Sequence, residues 1–180
     1  MSSEASAGRW VDHVGLTVPN VEEATRFFEE AFGATIVYDT HPRGSEPIAG
    51  PEIEQMVGIA PGSTLVTFRM LQLPHGPGIE LFEYSTVDPR PPLTPADVGV
   101  QHFAVYVDDI DAACERIERA GGRVLAPPAD LPGPESGAGN KWCYTRTPWD
   151  MTLELISVPT PMAFEATSTL KRWHPDRTGS

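Results

Sequence analysis

Cysteine is scarce in this sequence, with 2 in 180 residues, and the scarcity removes two structural classes at once. Cys114 and Cys143 cannot build a disulfide framework, and they do not have a zinc-finger spacing. Both are expected to be buried, unreactive thiols, Cys114 on a helix and Cys143 on a strand. Long apolar runs are missing too. None approaches the roughly 20 residues of a membrane span, and the opening MSSEASAGRW carries no apolar signal core, so neither insertion nor export is expected. Positive charge is also short. Lys and Arg total 13 against 25 Asp and Glu, a net charge of -12. Such a surface repels phosphodiester backbones and anionic lipids, which excludes nucleic acid and membranes as expected partners and makes cytoplasmic solubility the plain expectation.

What the chain holds in quantity is punctuation and apolar filling. It has 19 Pro and 16 Gly, with 40% hydrophobic and 21% charged residues. That is a globular, loop-rich composition, in a chain long enough to bury a sizeable core.

The organisation is a tandem repeat. The segment WVDHVGLTVPNVEEATRFFEEAFGATIV from Trp10 aligns without a gap, at an offset of 89, with GVQHFAVYVDDIDAACERIERAGGRVLA from Gly99. Six of the 25 positions from 13 to 37 are identical, His13 with His102 and Gly33 with Gly122 among them, where chance gives roughly one or two. Each copy reads as a strand followed by a helix. Val14, Leu16 and Val18 alternate with His13, Gly15 and Thr17, the period of a two-faced strand. Asn20 then offers an N-cap with Glu23 three residues on, and Val21, Ala24, Phe27, Phe28 and Ala31 follow at helical spacing to Gly33. The second copy uses Asp109 as cap, with Ile110, Ala113, Cys114 and Ile117 as the buried stripe. Further strands are expected near 34–39, 64–73 and 78–85, and near 123–126, 141–147 and 151–158. A Pro/Gly-rich insertion over 40–62 includes a short helix around 53–57. The expected fold is therefore α+β, two tandem βαβββ modules whose curved mixed sheets form a cleft. The expected boundaries are a flexible N-terminus at 1–8, a first module at 9–85, a Pro-rich linker at 86–98, a second module at 99–160, and a C-terminal tail at 161–180 with a short helix.

Each half carries one carboxylate between large apolar residues on its last strand: Glu80 in GIELFEY and Glu154 in MTLELIS. Alternation sends Ile79 and Leu81 to one face and Glu80 to the other, and likewise for Glu154 between Leu153 and Leu155. His13 and His102 also point away from the apolar face their helices cover. If the sheets curve toward one another, two imidazoles and two carboxylates converge. A carboxylate among leucines is costly to bury uncompensated, and one divalent cation compensates two of them. This nitrogen and oxygen donor set suits Zn, Ni, Co, Mn or Fe(II), with positions left for substrate.

The motifs VDHVGLTVPNVEEATRFFEEAFGA, GIELFEY, VQHFAVYVDDIDAACERIERAGG and KWCYTRTPWDMTLELISVP resemble the vicinal oxygen chelate superfamily over about residues 9–160. That family includes glyoxalase I, methylmalonyl-CoA epimerase, fosfomycin-resistance transferases, extradiol dioxygenases and metal-free bleomycin-resistance proteins. The resemblance implies metal ligands at His13, Glu80, His102 and Glu154. A Glu at the end of the first module is more typical of glyoxalase I and its related isomerases, so the ligand pattern lies closest to glyoxalase I and methylmalonyl-CoA epimerase. It implies one divalent metal ion chelating neighbouring oxygens of a small substrate, acidifying an adjacent C–H and holding an enediolate, with Glu154 or Glu80 as the proton-transferring base. The function this implies is a divalent-metal-dependent isomerase or lyase of the glyoxalase or epimerase kind, with an Fe(II)-dependent dioxygenase and a non-catalytic, antibiotic-binding protein as the alternatives. Arg69 and Arg146 are candidate carboxylate receivers. Tyr106, Trp142 and His75 are candidate substrate contacts, while Trp149 is expected to pack in the core and Glu83 falls on the wrong face for a role. The site closes either within a chain or across a homodimer, with an edge-to-edge homodimer preferred.

Overall fold

The computed structural model describes residues 11–86 and 89–175. The expected N-terminal segment 1–8, the last five residues of the tail and two positions of the linker lie outside the described residues.

Two mixed sheets of five strands each form the frame. The first contains β1 (His13–Thr17), β2 (Thr35–His41), β3 (Ile48–Ala49), β4 (Thr64–Gln72) and β5 (Gly78–Ser85), in the order β1-β5-β4-β2 with β3 on β4. The second contains β6 (His102–Tyr106), β7 (Arg123–Val124), β8 (Ala129–Asp130), β9 (Lys141–Arg146) and β10 (Thr152–Ser157), in the order β6-β10-β9-β7 with β8 on β9. Strand order is the same in both halves, and β1–β5 and β6–β10 are the parallel pairs. The short strands β3 and β8 add a fifth member to each expected four-stranded sheet. The insertion of the first half carries a helix, α2 (Pro51–Val57), which begins at a proline and ends at Gly58.

The two long helices form where the sequence caps them. Helix α1 (Val21–Phe32) begins at Asn20, whose side chain accepts from the backbone N–H groups of Glu22 and Glu23 at 2.9 and 3.1 Å. It ends at Gly33 with φ 68°, a left-handed conformation that glycine adopts freely. Helix α3 (Ile110–Arg119) is capped by Asp109, which accepts from Ala112 N–H at 3.0 Å. Val21, Ala24, Phe27, Phe28 and Ala31 of α1 and Ile110, Ala113 and Ile117 of α3 are buried in one apolar core, with Leu71, Ile79, Leu81, Leu153 and Leu155 from the sheets. The two helices pack directly against each other, and Trp149 meets Phe27 edge to face at 5.4 Å. Trp149 is thus a core residue, as expected.

Both sheets present their apolar faces to a shared helical layer, and the faces opposite that core, the cups of the two halves, carry His13, Glu80, His102 and Glu154.

A smaller apolar cluster lies on the outward face of the second sheet. Leu131, Ile156, Val158 and Met162 form it, with Tyr106, Trp142 and Phe164 packed alongside. Its cover comes from the C-terminal segment, where a short 3-10 helix spans Ala163–Ala166. The short helix expected in the C-terminal tail is thus a single 3-10 turn among the described residues.

Candidate functional site: two matched histidine–glutamate pairs

On β1 the burial alternation leaves Leu16 inside and His13, Gly15 and Thr17 outside. On β5, Ile79 and Leu81 are buried while Glu80, Phe82 and Tyr84 take the other face. Parallel register sets His13 beside Gly78 and Gly15 beside Glu80, and His13 Nε2 lies 3.4 Å from Glu80 Oε2. The second half repeats the arrangement: His102 stands beside Thr152, Ala104 beside Glu154, and His102 Nε2 lies 3.1 Å from Glu154 Oε2. In both halves the glutamate is two residues beyond the strand partner of the histidine. One sheet geometry has been used twice.

Gly78 makes the first pair feasible. A β-carbon there would stand 2.8 Å from Met70 Sδ, 3.3 Å from His13 Cβ and 3.3 Å from the Leu71 carbonyl oxygen. A side chain there would turn Met70 aside and press His13 and the Leu71 carbonyl back by a few tenths of an ångström, so glycine gives β1 and β4 their close approach to β5.

The surroundings differ between the cups. Phe82 stacks on Phe68 at 5.2 Å and on Tyr84 at 5.9 Å, so an aromatic ladder runs beside Glu80. In the second cup the ring of Tyr144 meets His102 at 5.1 Å and Trp142 at 5.1 Å, both edge to face. Burial, followed by the neighbouring Glu80, raises the Tyr84 phenol above its ordinary value, and burial with Glu154 does the same for Tyr144. Glu154 is itself raised, chiefly by burial and against the pull of His102. A carboxyl held up by desolvation is better suited to exchanging a proton with carbon near neutral pH than an exposed one. His13 is raised by its hydrogen bond to Asp12; since a carboxylate only accepts, the 2.8 Å contact makes Nδ1 the protonated nitrogen and leaves Nε2 facing Glu80.

The four residues expected to converge therefore come together as two pairs. Among the described residues no group of three or more His, Cys, Asp or Glu side chains could hold a metal ion. The donors fit a divalent cation in kind, imidazole nitrogen with carboxylate oxygen, and the half-buried, desolvated Glu154 is a group a cation would stabilise. Each cup supplies two of the four.

The candidate substrate contacts separate. Arg69 is a correction: on β4 it is 8% exposed and pairs across the sheet with Leu81, on the helix-facing side opposite Glu80. Its guanidinium donates to Asp39 at 2.6 Å, to both oxygens of Glu22 at 2.9 and 3.0 Å, and to Thr25 at 3.1 Å. It ties α1 to β2 and β4. Arg146 does lie on the cup side, in register with Thr152, and its Nη1 donates to the Asp150 carbonyl at 2.7 Å. Trp142 belongs to the cluster under the C-terminal segment. Tyr106 lies there too, donating its hydroxyl to the Trp173 carbonyl at 2.9 Å. His75 is exposed on the β4–β5 turn and lines a cavity of about 590 Å³, with Phe32, Leu73, Ala104, Arg116 and Trp173, into which neither histidine–glutamate pair opens. Glu83 has a structural task on the helix side, accepting from Val21 N–H at 2.9 Å at the start of α1 and pairing with Arg43.

Sequence reasoning missed Asp12, Tyr84 and Tyr144. The signal for the tyrosines was the parity of GIELFEY and KWCYTR, in which each shares the face of a cup residue. For Asp12 the signal was adjacency to His13 alone.

The chain belongs to the Glyoxalase/Bleomycin resistance protein/Dioxygenase superfamily, whose family model matches residues 10–138. It is 36% identical over 171 residues to a 2-epi-5-epi-valiolone epimerase from an Actinomyces species, an alignment covering 92% of this chain and 88% of that protein. In fold it is similar to a glyoxalase family protein from Bacillus cereus, with a TM-score of 0.64 and 18% identity over 87% of this chain and 97% of the other. It is also similar to a fosfomycin resistance protein from Listeria monocytogenes, with a TM-score of 0.52 and 18% identity over 84% and 90% of the two chains. That protein is complexed with Mn(II) and 1S,2S-dihydroxypropylphosphonic acid.

Proposed function

We propose that this chain is a divalent-metal-dependent epimerase that inverts a carbon bearing a hydroxyl next to a carbonyl, in a small oxygen-rich substrate of the 2-epi-5-epi-valiolone kind. The observation that carries it is the repeated histidine–glutamate pair at equivalent register in both sheets. The likeness to an epimerase over nearly the whole chain supports the choice of reaction.

His13, Glu80, His102 and Glu154 would hold the ion, with the two pairs brought together between two copies of the chain, since each cup opens away from the shared core. When bound, the metal supplies Lewis acidity to adjacent carbonyl and hydroxyl oxygens, which lowers the acidity barrier of the C–H between them. Glu154, raised by burial, takes that proton from one face, and Glu80, held on the other side of the substrate, delivers a proton to the opposite face. Tyr84 and Tyr144 stay protonated at neutral pH because burial raises both, so they can donate to oxygens that gain charge. The aromatic walls around each glutamate exclude water from the intermediate.

The test is incubation of the metal-loaded protein with 2-epi-5-epi-valiolone in D2O, followed by NMR. Inversion with deuterium entering at the carbon beside the carbonyl, abolished by chelation and by Glu154→Gln, is the expected result. Oxygen uptake with substrate cleavage would replace this reading with the dioxygenase, and binding without turnover would replace it with a sequestering protein.

A further inference from the structure

The β4–β5 turn of the first half and strand β6 of the second enclose the cavity of about 590 Å³ that lies apart from both histidine–glutamate pairs. Its walls are largely apolar, with Phe32, Leu73, Val105 and Trp173 among them. Two charged side chains line it as well, Arg116 from α3 and Asp108 from the bend before that helix. Arg116 engages only its Nε, which donates to the Ala31 carbonyl at 3.2 Å. Asp108 accepts only at its backbone carbonyl, from the Ser157 hydroxyl at 3.2 Å. Among the described residues, then, a guanidinium and a carboxylate share this cavity and neither has an ion-pair partner. Strand β6 is an edge of its sheet. Val107 N–H bonds to the Ile156 carbonyl at 2.9 Å, so the same parity turns Val105 to β10 and leaves the backbone N–H and C=O of Ala104 at the open edge, on the cavity.

We propose that this cavity is a second binding site, for a neutral polyhydroxylated ring of the sugar or cyclitol class. Charge selects the ligand. An anion would gain Arg116 but meet Asp108 and the carbonyl end of α1 at Ala31–Gly33, in a chain of net charge -12. An ammonium group would gain Asp108 but meet Arg116. A hydroxyl both donates and accepts, so neighbouring hydroxyls on one ring serve the guanidinium, the carboxylate and the Ala104 peptide groups together, with no net charge brought in. The C–H face of such a ring is apolar and suits an aromatic wall, which Trp173, 42% exposed, supplies. The volume falls within the roughly 300–1,000 Å³ of small-molecule sites. None of the four proposed metal ligands lines the cavity, so this inference stands or falls apart from the metal reading.

The experiment titrates methyl α-glucoside, a ring sugar with no free carbonyl to enolise, into the isotope-labelled chain with a chelator present, and follows amide shifts by NMR. Glucuronate and glucosamine are its anionic and cationic counterparts. Saturable shifts at Gly33, Gly76 and Ala104 are expected. Arg116→Gln and Asp108→Asn should each weaken binding by about tenfold or more, and Glu154→Gln should leave it within about twofold. The spectra report the fold of each variant, and Asp108→Asn, at an exposed position, carries the test if Arg116→Gln disturbs α3. No saturable shift in the unmodified chain overturns the site. Binding that survives the cavity variants, or is lost in Glu154→Gln, puts the ring in the second cup and overturns it too. Tighter binding of glucuronate or glucosamine than of the glucoside overturns the neutral ligand class.

Discussion

Glu154 makes the sharpest prediction at the scale of single residues. Its pKa is raised in the fold, above that of an unfolded glutamate, because burial disfavours the charged form. A group raised in this way contributes stability below its unfolded pKa and loses that contribution as pH rises through the folded value. Metal-free protein should therefore be more stable as Glu154→Gln at pH 7 than as the unmodified chain. The gain should vanish as pH falls below the ordinary carboxylate range. Thermal unfolding with a chelator present reads it directly, at about 2–4 °C for each kcal/mol. In the presence of metal the order should reverse, because only the unmodified chain keeps its ligand. A variant equally stable with and without metal at every pH would break the link between this residue and a cation.

Arg69 separates structure from chemistry. Arg69→Met should cost on the order of 2–4 kcal/mol, because it strands Glu22 and Asp39 around a lost guanidinium. Turnover per folded molecule and KM should stay as they were; a raised KM would return Arg69 to the site. The thiols offer a third check at this scale. Cys114 and Cys143 have their sulfur atoms 3.5 Å apart, and burial pushes Cys143 up to about 12 and raises Cys114 less. Both should resist iodoacetamide at pH 8 in the native state and react fully in denaturant, since the thiolate is the nucleophile.

Among elements, the long ones were legible and the local covers were not. Asn20, Gly33 and Asp109 announce the helix ends by their own chemistry, and the alternation in VDHVGLTV and GIELFEY fixes which face each residue takes. That alternation placed His13, Glu80, His102 and Glu154 on the outward sides. It did not save Arg69, which sits on a strand with weak contrast between its faces. TLVTFRMLQ puts Thr67 and Arg69 on the buried parity with Leu65 and Leu71, so a polar pair rides on the apolar face and only its partners on α1 and β2 reveal why. Whether the four ligands meet within a chain or across two copies is not written in any strand, because how two sheets are oriented depends on which faces the helices share. The C-terminal segment was illegible because Met162, Phe164 and Trp173 follow no period. It nonetheless covers Trp142, Tyr106 and Ile156. Removing residues from 171 onward should leave the second sheet folded, strip the Trp173 contact from Tyr106 and raise tyrosine accessibility to quenchers. A quenching profile unchanged by that truncation would show the segment lying elsewhere in solution.

For the whole molecule, the proposed metal reading predicts that a divalent cation held by Glu80 and Glu154 is a stabilising ligand in a chain of net charge -12. Saturating metal should raise the midpoint of unfolding, and excess chelator should lower it, in proportion to RT ln(1 + [L]/Kd). The family assignment and the two sheets follow from repeat, caps and alternation together. The closure proposed for the site rests instead on the family resemblance, because no strand or helix of one chain carries the contact with a second copy.

If the site closes between two copies as proposed, defective chains should be able to repair one another. His13→Ala and Glu154→Gln should each be inactive alone, having damaged every site they form. Mixed and allowed to exchange subunits, they yield hybrids in which one site carries both lesions and the other carries neither. With random pairing, half the pairs are hybrids and half their sites are intact, so about a quarter of the original activity returns. A site built within one chain would return none, and the mixture would stay as silent as its components.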